Sequence, residues 1–171
     1  MAETVHLRGH HLLCILTHVG AGYTPGFIDN LDTQIKRINN GAIVKIVSGP
    51  DDVCAALLKA GEEICGHAKV CSQGRVIRIH DQTALMDVAH ELQMPALEEG
   101  QTLALKKGEI SYLREAFADG AVRRACNGCP WHDACTEVAG RNFSGVKLMP
   151  EAVPIPLHPL RRAYGRSSLD R

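Results

Sequence analysis

The chain has 171 residues, enough for one domain to bury a core without disulfides. Its 19 basic and 19 acidic residues balance, and aromatic residues make up 4% of the chain, so no global field or base-stacking surface favours nucleic acid. No apolar run approaches the length of a bilayer span, and the N-terminus lacks the basic region of a signal peptide. We therefore expect a cytoplasmic protein that binds neither membrane nor nucleic acid.

The first third of the chain predicts two helices and a strand. Apolar residues at helical spacing over 7–19 predict a short buried helix after Gly9, on which His11, Cys14 and His18 could share one face. Thr24 and Pro25 suit the N-cap and first position of a second helix, which ends at 39–41. The β-branched run 42–48 predicts the one convincing strand.

The remainder predicts mainly helix and loop. Asp51 or Asp52 is expected to cap a helix through 53–58, and 61–74 is expected to be a Cys-containing loop. Residues 76–79 suit either a short strand or a first helical turn, and helices are predicted over 81–94, near 111–119 and over 133–138. The expected fold class is mainly α with a small β component (α+β). We expect one compact domain over 1–148, in which Cys-rich loops close a metal or cluster site. An extended or disordered Pro/Arg-rich tail is expected at 149–171.

Three of the seven cysteines fall within ten residues, at Cys126, Cys129 and Cys135. Two cysteines separated by two residues can turn their sulfur atoms toward one centre, a spacing typical of metal and cluster sites. Gly128 lets the backbone bend without a Cβ penalty, and Pro130 can open a helix at its first position. An odd number of cysteines in a reducing compartment also disfavours a disulfide framework.

A second group of thiols, Cys54, Cys65 and Cys71, is expected to complete the site. Cys54 lies in an apolar segment, where a thiol that only packs is also common. Cys65 and Cys71 lie in a polar loop, where such packing has less reason to occur. The preferred metal ligands are the three downstream cysteines and Cys71, with Cys65 as the other candidate for the fourth; the spacing does not determine which four bind.

Two kinds of cofactor fit these thiols. An iron–sulfur cluster, [4Fe-4S] or [2Fe-2S], and a tetrahedral zinc ion each take four ligands, and zinc could also use His67 or His132. A zinc knuckle normally presents two tight Cys pairs, whereas only Cys126 and Cys129 form one here. Six clustered thiols also exceed what zinc needs, so the cluster is preferred and zinc is the alternative.

The chain resembles an uncharacterised family of bacteria and archaea, domain of unknown function 1284. The resemblance implies an iron–sulfur site and implies no particular reaction. It extends over about 7–148 and is carried by Arg8-Gly9-His10-His11-Leu12-Leu13-Cys14, Gly22-Tyr23, Gly49-Pro50-Asp51-Asp52-Val53-Cys54, Cys65-Gly66-His67, Cys71, Cys126-Asn127-Gly128-Cys129-Pro130-Trp131 and Cys135.

The segment with His10, His11 and Cys14 is a third candidate site. These residues are candidate catalytic groups that could donate a proton, anchor a substrate or add a ligand; a packed helix with hydrogen-bonded histidines is the alternative interpretation. Trp131 is expected to shield the site from water.

Three functions stay open. The preferred one is a ferredoxin-like function, electron transfer or redox sensing, with a redox protein or a small molecule as partner. The second is a zinc-stabilised structural or interaction module. The third is an enzyme whose cluster keeps an open iron position, which would require only three thiolate ligands.

Overall fold

The computed structural model describes residues 3–59 and 75–149 of the chain. Cys65, Cys71, the expected loop at 61–74 and all but the first residue of the expected tail lie outside these ranges. The described elements are strands β1 Thr4–Leu7, β2 Ile43–Ile46 and β3 Thr102–Leu103, and helices α1 Gly9–Thr17, α2 Pro25–Asn39, α3 Ala55–Lys59, α4 Arg75–Glu91, α5 Lys107–Ala118 and α6 His132–Gly140. The expected mainly α fold with a small β component is confirmed.

A three-stranded sheet of order β1-β2-β3 lies at the base of the fold. β1 pairs with β2 in parallel, with Leu7 opposite Ile46, and β2 pairs with β3 in antiparallel. Only β2 was predicted, because β1 and β3 are too short to show a clear alternation. Since parallel strands end at the same edge of a sheet, the start of α1 and the loop after β2 emerge side by side. The amide of Val47 accordingly donates to the carbonyl of Leu7 at 3.0 Å.

The second helix follows its sequence signals closely. The Thr24 hydroxyl accepts a hydrogen bond from the Phe27 amide at 3.1 Å, and Pro25 occupies the first turn, where its missing N–H has no cost. At the other end Gly41 has φ +95°, a left-handed conformation that favours glycine. The apolar face of α2 is buried in the core together with α1, α4, α5 and the sheet.

Several helix boundaries differ from the sequence prediction, among them the start of α3, which lies at Ala55 and not at residue 53. α4 begins at Arg75 and not at residue 81, so 76–79 is helical: Ile77 is buried while Val76 and Ile79 are exposed, which is not the alternation of a strand. α5 begins four residues earlier than predicted, where the Glu109 carboxylate accepts from the backbone N–H of Lys106 at 3.0 Å. α6 begins at His132, so Pro130 does not stand at its first position.

The start of α1 packs directly against the backbone of α4. A Cβ atom on Gly9 would lie 2.2 Å from the carbonyl oxygen of Asp81, far inside van der Waals contact. Glycine is therefore required at position 9 for this approach. Among the described helices, none combines the length and the apolar character needed to cross a bilayer.

Candidate metal centre

The Cys126–Cys129 segment is a tight turn that glycine makes possible. The Cys129 amide donates to the Cys126 carbonyl at 3.0 Å, Asn127 has φ −61° and ψ 122°, and Gly128 has φ +78°. These values are those of a type II turn, which favours glycine at its third residue. The turn follows a short 3₁₀ helix at Arg124–Cys126 and leads into α6, which carries Cys135.

Cys14 of α1 joins these three cysteines at one cavity of about 160 Å³. We call Cys14, Cys126, Cys129 and Cys135 the thiol group. Burial raises the pKa of Cys14 well above its usual value, and the nearby charges of the other three thiols raise it further. The Thr17 hydroxyl, one turn after Cys14, is within 3.3 Å of the Cys135 sulfur and can donate to it. No disulfide links the described cysteines to one another.

A guanidinium group stands beside the thiol group. Burial and the neighbouring Cys129 raise the pKa of Cys126 to about 11, and Arg123 opposes this rise by its charge and a hydrogen bond. Arg123 also donates to the His132 carbonyl at 2.9 Å and lies over the Phe117 ring, 4.6 Å from its centroid. Its position is therefore fixed by several contacts, and it brings a positive charge to thiols that a metal would hold as thiolates.

The same cavity is lined by His10 and His11, each of which is bonded to a carboxylate. We call His10, His11, Asp51 and Asp81 the histidine group. His10 Nδ1 lies 2.7 Å from an Asp81 oxygen, and His11 Nδ1 lies 2.6 Å from an Asp51 oxygen. The two rings are 4.3 Å apart between centroids. Burial and the adjacent His11 lower the pKa of His10 to about 4, although Asp81 opposes the shift, so the His10 ring is neutral at pH 7.

Asp81 joins α4 to the start of α1. It accepts from Arg8 Nε at 3.0 Å and Nη2 at 2.7 Å, and from the His10 amide at 3.1 Å. The Arg8 side chain is 2% exposed and the Asp81 side chain 10%, so this ion pair is buried. Burial alone would raise the pKa of Asp81, but the bonds from His10 and Arg8 outweigh it and lower the pKa to about 2.

Asp51, in the loop after β2, joins that loop to the start of α1, as Asp81 joins α4 to it. Its Oδ1 accepts from the amides of Val53 and Cys54 at 3.0 Å each, and its Oδ2 accepts from the Arg8 amide at 2.8 Å as well as from His11. The His11 charge and these bonds lower the pKa of Asp51 against the opposing effect of burial. The predicted capping role of Asp51 is therefore only part of what this side chain does.

His11, Asp51 and Cys54 form a group that could hold a metal ion, since one ligand atom from each lies within 4.8 Å of the others. However, the four bonds to Asp51 use the four lone pairs of a carboxylate. Burial and the neighbouring Asp51 charge also raise the pKa of Cys54 to about 12, so its thiol is protonated. Asp51 is thus better suited to orient His11 than to ligate an ion directly.

The candidate cysteines of the sequence thus divide into three sets. The structure brings Cys14 to Cys126, Cys129 and Cys135, whereas Cys54 lies at the same cavity beside Asp51, just before α3 and not within a helix. Cys65 and Cys71 lie outside the described residues. His18, which the sequence allowed to share a face with Cys14, follows the last residue of α1, lines the same cavity and lies 2.6 Å from an Asp32 oxygen.

One contributor, Asp81, had no signal in the sequence analysis. It lies within a long helix, where a single acidic residue is ordinary. Arg8 was part of the segment that carries the resemblance, but its contact with Asp81 follows only from the packing of α1 on α4. Trp131 lines the cavity and packs edge-to-face on Tyr23, 5.3 Å between centroids. This aromatic contact is consistent with the shielding expected for Trp131.

Comparison with known proteins places the chain among relatives without naming an activity. The model of a family described as "Protein of unknown function (DUF1284)" matches residues 22–135. That range includes six of the seven cysteines, whereas Cys14, His10 and His11 precede it. No curated protein and no solved structure matches the chain.

Proposed function

The chain belongs to the DUF1284 family, whose description names no activity, and we propose from its site that it binds one iron–sulfur cluster. The ligands in this proposal are the thiol group. The observation that carries it is that cysteines from distant parts of the chain line one cavity, and that Cys14 lies near enough to the other three members of the thiol group for their charges to raise its pKa. Cys54 also lines the cavity but lies beside Asp51, which leaves the four ligands that a cluster takes. The proposal replaces Cys71 and Cys65 by Cys14 as the fourth ligand.

The size of the site supports a cluster over a single zinc ion. A zinc ion binds thiolates at about 2.3 Å, which brings its four sulfur atoms to about 3.8 Å from one another. Within the described residues, the group of three ligand atoms found within 4.8 Å of one another is not drawn from the thiol group. A cavity of about 160 Å³ is also roughly ten times what one water molecule needs. Both observations favour a larger cofactor.

The surroundings of the thiol group support a redox role. A cluster supplies a group that accepts and releases one electron, and its potential depends on hydrogen bonds to sulfur, net charge and access of water. Thr17 would donate to one ligand, Arg123 would offset negative charge at another, and Trp131 would limit access of water. We propose electron transfer or redox sensing, with a redox protein or a small molecule as partner.

The test is anaerobic purification followed by analysis of iron, sulfide and zinc, with an absorption spectrum of the same sample. We expect iron with matching sulfide and a visible band. The variants Cys14→Ser and Cys129→Ser should each lose most of both. A protein that contains one zinc, no sulfide and no visible band would instead be the zinc-stabilised module.

Matched cysteine variants identify the fourth ligand. Cys54→Ser should keep its iron, because Cys54 lies beside Asp51, to which its backbone amide donates, and is not a member of the thiol group. Cys65→Ser and Cys71→Ser should also keep it. Iron that survives Cys14→Ser and is lost in Cys71→Ser would return the fourth position to Cys71.

The same experiment separates electron transfer from an enzyme with an open iron position. An enzyme of that kind would need three thiolates and a free iron, with His10 or His11 as acid or base. The four cysteines of the thiol group favour a fully ligated cluster. If Cys14→Ser, Cys54→Ser, Cys65→Ser and Cys71→Ser each keep both iron and sulfide, the site has three thiolate ligands and the open-cluster enzyme becomes the better proposal.

A further inference from the structure

The histidine group has the chemistry of a second site. All the described contacts of Asp51 and Asp81 are N–H or ring-nitrogen groups, and the backbone amides and Arg8 among them can only donate. Both carboxylates are therefore acceptors, and each of the two histidines keeps its proton on Nδ1. In the neutral form of each ring, the outer nitrogen, Nε2, is then a lone-pair donor.

A carboxylate behind each ring is the arrangement that metal-binding histidines use. Such histidines almost always donate their other ring N–H to a carboxylate, a carbonyl or water, which fixes the tautomer and raises the basicity of the ligating nitrogen. In this protein two adjacent histidine rings each have a carboxylate at Nδ1. Their centroids are 4.3 Å apart and both rings line the same cavity. A zinc–nitrogen bond is about 2.0–2.1 Å, which places two nitrogens on one tetrahedral ion about 3.3 Å apart, of the same order as the separation of the two rings.

The charges of the histidine group also favour a bound cation. Arg8 balances Asp81, but the ion-pair partner of Asp51 among the described residues is the His11 ring. The Asp51 side chain has no exposed surface. A buried carboxylate is normally paired with a positive charge or placed near a metal. A cation on the far side of His11 would supply that charge without displacing any of the four bonds to Asp51.

We propose that His10 and His11 bind one divalent transition-metal ion through their Nε2 atoms, separately from the thiol group. Asp81 and Asp51 are positioning residues that hold the two rings. Imidazole ligands suit zinc, iron, copper and nickel, and water or a small ligand would complete the coordination from the cavity. This site does not depend on whether the thiol group holds a cluster.

The test uses Zn²⁺ and the full chain, purified without oxygen and with its iron and sulfide content measured first. One equivalent of Zn²⁺ is added and the sample is desalted. X-ray absorption at the zinc edge should then give imidazole nitrogen at about 2.0–2.1 Å and no sulfur. Sulfur at about 2.3 Å would show that zinc was bound by a cysteine, either of the thiol group or Cys54, and that result would overturn the proposal.

Variants test the two histidines without relying on one substitution. His10→Gln and His11→Gln should each reduce the bound zinc from one per chain to near zero, whereas His90→Gln, with its side chain 86% exposed, should leave it unchanged. Asp51→Asn and Asp81→Asn keep both ligands and should weaken affinity about 10–100-fold.

Iron and sulfide measured on the same variants separate this proposal from the cluster. Their content should be unchanged in His10→Gln and His11→Gln. Zinc that persists in both of these variants, or wild-type protein that binds no zinc, would exclude the site, whatever the iron content.

Discussion

The histidine group and the thiol group form two parts of one cavity and are stabilised differently. Each carboxylate of the histidine group accepts four hydrogen bonds from described residues, so its geometry is set by the protein alone. The cysteines of the thiol group are partly buried, and Thr17 and Arg123 are among the described groups that contact them. We infer that the histidine group is preformed, whereas the thiol group depends on a bound metal for its stability and its charge state.

The largest effect on stability should come from removing the Asp81 carboxylate of the histidine group. Asp81→Ala leaves the buried Arg8 guanidinium without its carboxylate and should lower the free energy of unfolding by about 3–5 kcal/mol. Guanidinium chloride unfolding of the metal-free protein measures this. Asp119→Ala, at an exposed helix end, is the control and should change stability by less than about 0.5 kcal/mol. A loss below about 1 kcal/mol for Asp81→Ala would show that the group is not preformed.

Acid should weaken the same group over a defined pH range. The pKa of Asp81 is lowered to about 2 in the folded protein, against about 3.9 in an unfolded chain. Its stabilisation is therefore fully present above about pH 4 and is lost as the pH falls toward 2, a change of about 2–3 kcal/mol. The unfolding free energies of wild type and Asp81→Asn should converge as the pH falls through this range. A constant difference would exclude the ionised Asp81 as the cause.

A backbone contact tests whether α1 must stay close to α4. Gly9→Ala places a Cβ against the Asp81 carbonyl and should destabilise the protein by about 1–3 kcal/mol. Gly26→Ala in α2 is matched to it, since a Cβ there has no atom within 4 Å, and should be neutral or stabilising by about 0.4–1 kcal/mol. Equal effects of the two substitutions on thermal unfolding would contradict the close approach.

The smallest effect on stability should come from a substitution beside the thiol group. Thr17→Val removes the hydroxyl beside the Cys135 sulfur and should cost the metal-free protein about 0.5–1.5 kcal/mol. With a cluster bound, the iron content should be unchanged and the reduction potential should shift, because hydrogen bonds to sulfur tune it. A redox titration followed by the visible band measures this. Thr33→Val, whose exposed hydroxyl bonds only the Asp29 carbonyl, should leave the potential unaltered.

Features encoded within a few residues were predictable from the sequence. The cap at Thr24, the end of α2 at Gly41 and the β2 strand depend on backbone preferences and on local apolar patterns, and the structure confirms them. The turn at Gly128 belongs to the same class, because a type II turn needs a left-handed residue at that position. Helix starts were less predictable, since α4 and α5 begin before their apolar periodicity becomes clear.

The composition of the site was decided by tertiary structure. Thr17 and Cys135 are separated by 118 positions, and only the packing of α1 near α6 brings them and Cys14 together. Asp51 reaches His11 because β1 and β2 run parallel and end at the same edge of the sheet, and Asp81 reaches His10 because Gly9 allows α1 to touch α4. The sequence by itself determined which residues could carry this chemistry. Which of them share a cavity followed from strand pairing and helix packing, because contacts between distant residues leave no local pattern in the chain.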